Sequence, residues 1–291
     1  MFLTLCLVSA LSYALQNTLM VAYFRAMDTL SAVSYRGLAL GVSMLPLLLI
    51  VPHEAWADAP SCAASIFFAS VYALLGNWAA AQSYRHVPVG ICSAVCASFT
   101  TIGAVVIGPL MFGEPVSGAQ GVWIALLVCG IIALGLSRSR AALGAQRSIL
   151  RGCVFAGAAG VLFACGFALV GAASRASHPF IAGYFWEFTI GLLGVVIAYT
   201  RAAMGIVPMS GLPGRDFRQI MRYSFPTLLG TGLYGIAVTM GPVAIATAVL
   251  SMTVIFSTVL AYFMYRERLN VLEWGLIAGI CFVLIGLNLQ K

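Results

Sequence analysis

Charge is scarce in this chain. Only 8% of its 291 residues are Asp, Glu, Lys or Arg, against 62% hydrophobic, and the mean hydropathy is +1.03. Soluble domains carry about 25% charged residues because water must solvate their surfaces. No stretch here is polar enough to form one, so the outer surface has to face lipid. Catalytic signatures are missing as well. No GxSxG, HExxH or GxxxxGK[ST] occurs, which removes the nucleophile elbow, the zinc-hydrolase helix and the P-loop that would power ATP-driven pumping. His53, His86 and His178 fall at the ends of apolar runs or between them, so no intramembrane haem or metal site assembles from them. There is no CxxC. The eight cysteines (Cys6, Cys62, Cys92, Cys96, Cys129, Cys153, Cys165 and Cys281) lie in apolar runs and read as small buried side chains. Cys92 and Cys96 stand one helical turn apart, but two thiolates make no metal site without further ligands. The expectation is therefore no catalytic residue, no metal and no cofactor. The formal charge of +7 is spread as single arginines and small groups between apolar runs. That layout belongs to loops flanking a lipid bilayer, not to a nucleic-acid partner.

What is abundant is apolar length. A span needs about 20 apolar residues, since a rise of ~1.5 Å per residue must cover ~30 Å of hydrocarbon. Ten segments qualify: 2–24, 31–51, 62–83, 88–112, 116–136, 152–173, 180–200, 220–239, 243–265 and 271–289. The first is too long for a signal-peptide core and has no basic leader, so it reads as a span. The runs are long and continuous, without the alternating ten-residue strands of a barrel, and the fold class is all-α integral membrane. Two connections are longer than the rest: the basic 137–151, and 201–219 with Pro208, Pro213 and Gly214. One set of alternate loops receives twelve basic residues: Arg25, Arg85, Arg138, Arg140, Arg147, Arg151, Arg201, Arg215, Arg218, Arg222, Arg266 and Arg268. The other receives Arg175 and Lys291, and holds Glu54 and Asp58. The positive-inside rule puts the first set in the cytoplasm and both termini outside.

The chain also repeats itself. At a constant offset of 154, Leu74, Leu75, Gly76, Pro88, Val89, Ile91, Ala94 and Val95 recur as Leu228, Leu229, Gly230, Pro242, Val243, Ile245, Ala248 and Val249. FGEPVS (112–117) is echoed by YRERLN (265–270), setting Glu114 opposite Glu267, and Gly135 pairs with Gly286. Each half then holds five spans, 1–136 and 152–291, joined by a cytoplasmic connector at 137–151. Five is odd, so the second half enters the membrane upside down. Inverted repeats suit a transporter, because exchanging the conformations of two related halves converts an inward-open state into an outward-open one.

A helix ending in YRHVP (84–88), an apolar helix, GEPVS (113–117), and a second copy ending in RERLN (266–270) resemble the EamA family of the drug/metabolite transporter superfamily. The pattern covers essentially the whole chain. Within that family it is most similar to the YddG-like exporters of aromatic and other amino acids. The resemblance implies an inner-membrane exporter of ten helices, with a central cavity lined by the first, third and fourth helices of each half. The second copy departs from the first in having Met240-Gly241 before Pro242 where the first has Arg85-His86; an inverted loop facing outside accounts for this.

Polar and aromatic residues in mid-span are the candidates for a substrate site, because they are costly there unless they face a pathway or a partner helix. The first half offers Tyr13, Gln16, Asn17, Asn77, Trp78, Gln82, Ser98, Phe99 and Thr101. The second offers Phe163, Phe167, Thr231, Tyr234, Ser251 and Met252. Aromatic walls with amides and hydroxyls would suit a small molecule with an apolar body and a polar end; helix-to-helix hydrogen bonding explains any single one of them equally well. Glu187 is the sharpest singleton, a carboxylate within the seventh span and a candidate for coupling or gating. Its mate by position is Arg36, and inversion is expected to hold the two near opposite faces and out of contact. Pro226, followed by Gly230, Gly232 and Gly235, marks the eighth span as the expected bending element. Gly37-xxx-Gly41 and Gly275-xxx-Gly279 allow close helix approach, with packing inside a monomer at least as good an explanation as dimerisation. The functional expectation is a secondary exporter of amino acids or similar small metabolites working by alternating access. Efflux of a drug, sugar or nucleobase is the alternative, and an intramembrane enzyme or receptor a remote one.

Overall fold

The computed structural model describes residues 1–87, 89–139, 146–211, 214–265 and 270–289. Pro88, Arg140, Pro213, Arg266, Glu267, Arg268 and Lys291 lie outside the described residues. Among those described, helices account for every regular element: α1 (Phe2–Ala26), α2 (Thr29–Leu48), α3 (Ala63–Ser83), α4 (Val89–Phe112), α5 (Gly118–Ser139), α6 (Gln146–Ala176), α7 (Pro179–Ala203), α8 (Gly214–Met240), α9 (Val243–Leu250), α10 (Thr253–Tyr265) and α11 (Val271–Leu289). Two short 3₁₀ turns, His53–Trp56 and Ala59–Cys62, lead into α3. Helix is the form that satisfies a segment's backbone without water, which is why apolar runs of this length adopt it.

Among the described residues, seven stretches are long and apolar enough to cross a membrane, one of them Val243–Met264, which takes in α9 and α10; Gly118–Leu134 and Val271–Val283 are shorter apolar helices. α8 reads as more polar because Arg215, Asp216, Arg218 and Arg222 fill its first turns. Helical structure also runs past two of the expected boundaries. α6 begins at Gln146 and α8 at Gly214, since a basic turn beyond the hydrocarbon can stay helical while its side chains reach water.

The packing follows the repeat. α1 lies on α8 and α3 on α6, α4 packs on α6 and α10 on α1, and α2 meets α7 as α5 meets α11. If the first helix of one half corresponds to the first of the other, and so on, every one of these pairs is either its own mate or the mate of another. Glycines set how closely the halves approach. A Cβ on Gly37 would fall 2.5 Å from the backbone nitrogen of Gly191, so α2 and α7 touch backbone to backbone. The repeated glycines Gly76 and Gly230 seat the Phe163 and Tyr13 rings respectively, at 2.9 and 3.3 Å from such a Cβ. Gly275 and Gly279, by contrast, meet nothing within 4 Å among the described residues.

Two sets of loops gather at opposite ends. At one, Arg85 donates to the carbonyls of Phe24 and Met27, Ser83 to that of Gly152, and Tyr35 to that of Ser210. The 26–29, 84–87 and 201–211 connections and the start of α6 thus share a face. At the other, Arg175 reaches Glu114 and the Gly241 carbonyl, and the Cys62 thiol approaches Ser177. There His178 caps α7, its Nδ1 accepting from the Phe180 amide, and partial burial lowers its pKa.

The proline expected to bend the eighth span does not interrupt its helix. α8 is one helix through that proline, and the interruption falls in the ninth segment, at Ser251–Met252. Hydroxyls replace the regular ladder there. Thr253 Oγ1 donates to the Leu250 carbonyl at 2.6 Å, while the Met252 and Val254 amides close tight three-residue turns onto Val249 and Ser251. Ser and Thr compete with helix geometry in this way.

Candidate functional site

A central cavity with about 130 Å³ of room for the centres of water molecules opens between the halves. This is space for several waters or for a small metabolite. α1, α3 and α4 of the first half and α6, α7, α9 and α10 of the second contribute to its wall, with Arg36 reaching in from α2. Lining extends along α1 to Phe24 and along α3 to Tyr84, so the cavity runs from the middle of the bundle toward the Arg25–Arg85 end. The opposite end is fastened. Arg175 pairs with Glu114 at 2.6 Å and donates to the carbonyls of Val238 and Gly241, while Glu114 accepts from the Val243 amide at the start of α9.

Arg36 and Glu187 overturn the expectation that they stay apart. Arg36 Nη1 lies 3.5 Å from Glu187 Oε2, with both side chains almost wholly buried (6% and 2% exposed). The reason is the glycine crossing. α2 and α7 run antiparallel and meet at Gly37 and Gly191. Arg36 is beside that point and Glu187 one turn, about 6 Å, away along α7. An arginine stem spans that offset. The other Glu187 oxygen accepts from Thr231 Oγ1 at 3.0 Å, and that hydroxyl meets the Tyr13 hydroxyl at 2.9 Å. A polar chain therefore crosses α1, α8, α7 and α2.

Around it stands an aromatic cluster centred on Phe167, with rings of Trp186, Tyr234, Tyr13 and Phe163 at 5.6, 4.9, 6.3 and 6.3 Å. Three buried polar atoms of lining residues have no hydrogen-bond partner: Arg36 Nη1, Glu187 Oε2 and Trp186 Nε1. Buried polar atoms are rarely left so.

Of the residues expected from sequence, Tyr13, Asn17, Asn77, Phe163, Phe167, Ser251 and Glu187 line the cavity. Thr231 and Tyr234 stand directly behind it, through the Tyr13–Thr231–Glu187 chain and the Phe167 ring. The others turn elsewhere. Asn77, Ala80 and Tyr84 define the inner face of α3, and Trp78 and Gln82 lie off it. Trp78 stacks edge-on against Phe155 and Gln82 donates to Thr29 Oγ1. On α4 the inner face follows Cys92, Cys96 and Thr100, which turns Ser98 and Phe99 away. Ser98 bonds back to the Ala94 carbonyl, and Phe99 is 45% exposed. Thr101 hydrogen-bonds the Ser251 hydroxyl at the helix break, Met252 is buried there, and Gln16 is buried with neither amide atom bonded. Sequence reading missed Trp186, Thr247 and Thr253 and set Arg36 aside. For Trp186 the signal was available, one residue from the intramembrane carboxylate.

The run GTGLYG (230–235) has the glycine spacing of a dinucleotide-binding turn. It lies inside α8 with no strand before it, and its glycines face Tyr13, Phe180 and Pro179. The spacing serves helix packing, not a phosphate.

Apolar helices in two related sets, closed around a cavity with one end fastened, have the build of a membrane transporter. Residues 1–136 and 150–289 match the model of the EamA-like transporter family, and the chain belongs to that family of multi-pass membrane transporters of small metabolites. A solved crystal structure superposes on 99% of this chain and 99% of its own, with a TM-score of 0.71 at 13% identity. That likeness is one of fold alone. No curated protein matches the sequence.

Proposed function

We propose that the chain is a monomeric secondary transporter that exports amino acids, aromatic ones among them, or similar small metabolites across the inner membrane by alternating access. In this reading both termini and the Arg175–Glu114 end face outside, and 137–151 is the cytoplasmic connector between halves 1–136 and 152–291. Lining by both halves is the observation that carries it: a solute between α1, α3 and α4 on one side and α6, α9 and α10 on the other is released when the halves exchange shapes. The break at Ser251–Met252 places irregular backbone and the Ser251 and Thr253 side chains against that solute, as broken helices do in transporters. Glu187 is the carboxylate that lines the cavity, and it is held by Arg36 and Thr231. We therefore assign the driving force to the substrate's own gradient.

The test is flux into proteoliposomes from a panel of labelled amino acids, sugars and nucleobases. Saturable amino-acid uptake that falls about tenfold in Phe167→Ala, the loss of one stacking wall, and does not respond to an imposed pH gradient is the expected result. Uptake of sugars or nucleobases alone would replace the cargo assignment. Flux that requires the pH gradient in wild type and loses that requirement in Glu187→Gln would restore Glu187 as a coupling group.

A further inference from the structure

The proposed function leaves open what part of a solute the buried ions read. Arg36 and Glu187 sum to no net charge, both line the cavity, and the two atoms through which they face each other, a guanidinium nitrogen and a carboxylate oxygen, make no hydrogen bond. Their 3.5 Å separation exceeds the 2.7–2.9 Å of a formed charge-assisted hydrogen bond. Thr231 takes up only the second Glu187 oxygen. We propose that this pair is the recognition subsite for the head group of a net-neutral α-amino acid, with the substrate carboxylate on Arg36 Nη1 and its ammonium on Glu187 Oε2.

The chemistry is matched on three counts. An α-amino acid carries its anion and cation on one carbon, so a neighbouring donor and acceptor can hold both in a closed ring of four charges. Binding leaves the cavity neutral, whereas an amine alone or an acid alone would leave one ion uncompensated where water is scarce. The substrate side chain then falls toward Phe163, Phe167 and Trp186, with Trp186 Nε1 free to donate to the carboxylate. This deepens the reading above, and rests on it.

Competition in proteoliposomes containing the full chain separates the two. Counterflow of labelled L-phenylalanine is measured against unlabelled L-phenylalanine, 2-phenylethylamine and 3-phenylpropionate, which share the ring and lose one charge each. Both analogues should compete at least ~100-fold more weakly, as for sites built to bond a group the analogue lacks. Arg36→Gln and Glu187→Gln should each abolish counterflow. Because either variant leaves a partner ion buried, ligand-induced stabilisation of the wild-type protein is read alongside. Phenylalanine should raise its melting temperature and the two analogues should not. Competition by either analogue within about threefold of phenylalanine overturns the zwitterion subsite while leaving an amino-acid exporter standing. So does counterflow retained in both variants. Flux of sugars or nucleobases with none of phenylalanine, or no flux of any of them, overturns it together with the amino-acid assignment.

Discussion

Two arginine–glutamate contacts among the described residues are built in opposite ways. Arg175 and Glu114 are partly exposed, at 29% and 21%, yet fully employed. The guanidinium bonds the carboxylate and two carbonyls at the end of α8 and lies 4.7 Å over the Phe112 ring, and the carboxylate caps α9. Arg36 and Glu187 are buried, yet face each other at 3.5 Å through two atoms that make no hydrogen bond. The first arrangement ties helix ends together. The second spends a large desolvation penalty without collecting the hydrogen bonds that would offset it, as a site does when a ligand completes it. Inversion sharpens the contrast. Arg25 donates to the Tyr84 carbonyl as Arg175 does to that of Val238, so the fastening motif recurs at both ends; in the described residues its carboxylate partner is seen only at the Glu114 end.

The largest expected effect breaks the buried pair one side at a time. Arg36→Met strands Glu187 and should destabilise the protein by about 3–5 kcal/mol. Arg36→Met/Glu187→Met should recover most of that loss while remaining inactive in flux. Thermal unfolding of the purified variants in detergent checks this. A double variant no more stable than the single one would mean that the pair does not compensate itself. Next comes the crossing that brings the pair together. A Cβ at Gly191 would lie 2.4 Å from the Leu38 nitrogen, a backbone atom that cannot turn aside. Gly191→Ala should cost about 1–3 kcal/mol through overpacking, and should separate Arg36 from Glu187 enough to depress flux along with melting temperature.

How much of this was legible in the sequence depends on the kind of signal. The all-helical, membrane-spanning build followed from apolar length, and the family's two-part pattern from the 154-residue offset, because both are one-dimensional. The inner faces of α3 and α4 were not recovered. Choosing polar residues regardless of helical phase admitted Trp78, Gln82, Ser98 and Phe99, when Asn77, Ala80 and Tyr84 already trace a face at the helical period. The Arg36–Glu187 contact escaped for a different reason. Depth was inferred from distance along each helix, but two glycines far apart in sequence decide where α2 and α7 cross, and no local pattern reports a crossing point. The break at Ser251–Met252 was likewise hidden, since it owes nothing to proline and arises from adjacent hydroxyls finding carbonyls.

A smaller effect should come from loosening the fastened end. Glu114→Gln removes the ion pair and weakens the cap on α9. At partial exposure this is worth about 1–2 kcal/mol, or roughly a tenfold gain in the population open at that end. Labelling of Val243→Cys by a membrane-impermeant maleimide, in a background without the native cysteines, should accelerate accordingly. Unchanged labelling would show that the clasp does not hold the end shut.

The third ion pair should matter least, and its weakness is instructive. Arg201 Nη1 stands 3.9 Å from Asp28 Oδ1, with the side chains 28% and 17% exposed. Asp28 has other work. Its Oδ2 accepts from both the amide and the hydroxyl of Ser31, capping α2, and its own amide donates to Ser210 Oγ. A partly exposed pair at that distance contributes about 0–1 kcal/mol, whereas an N-cap carboxylate is worth about 1 kcal/mol and up to 2. Arg201→Gln should therefore leave melting temperature and flux where they are, and Asp28→Ala should lower the melting temperature by a measurable step. Equal losses in the two variants would put the value of Asp28 in its ion pair, and would make the 26–29 and 201–211 connections a second clasp comparable with the one at Arg175.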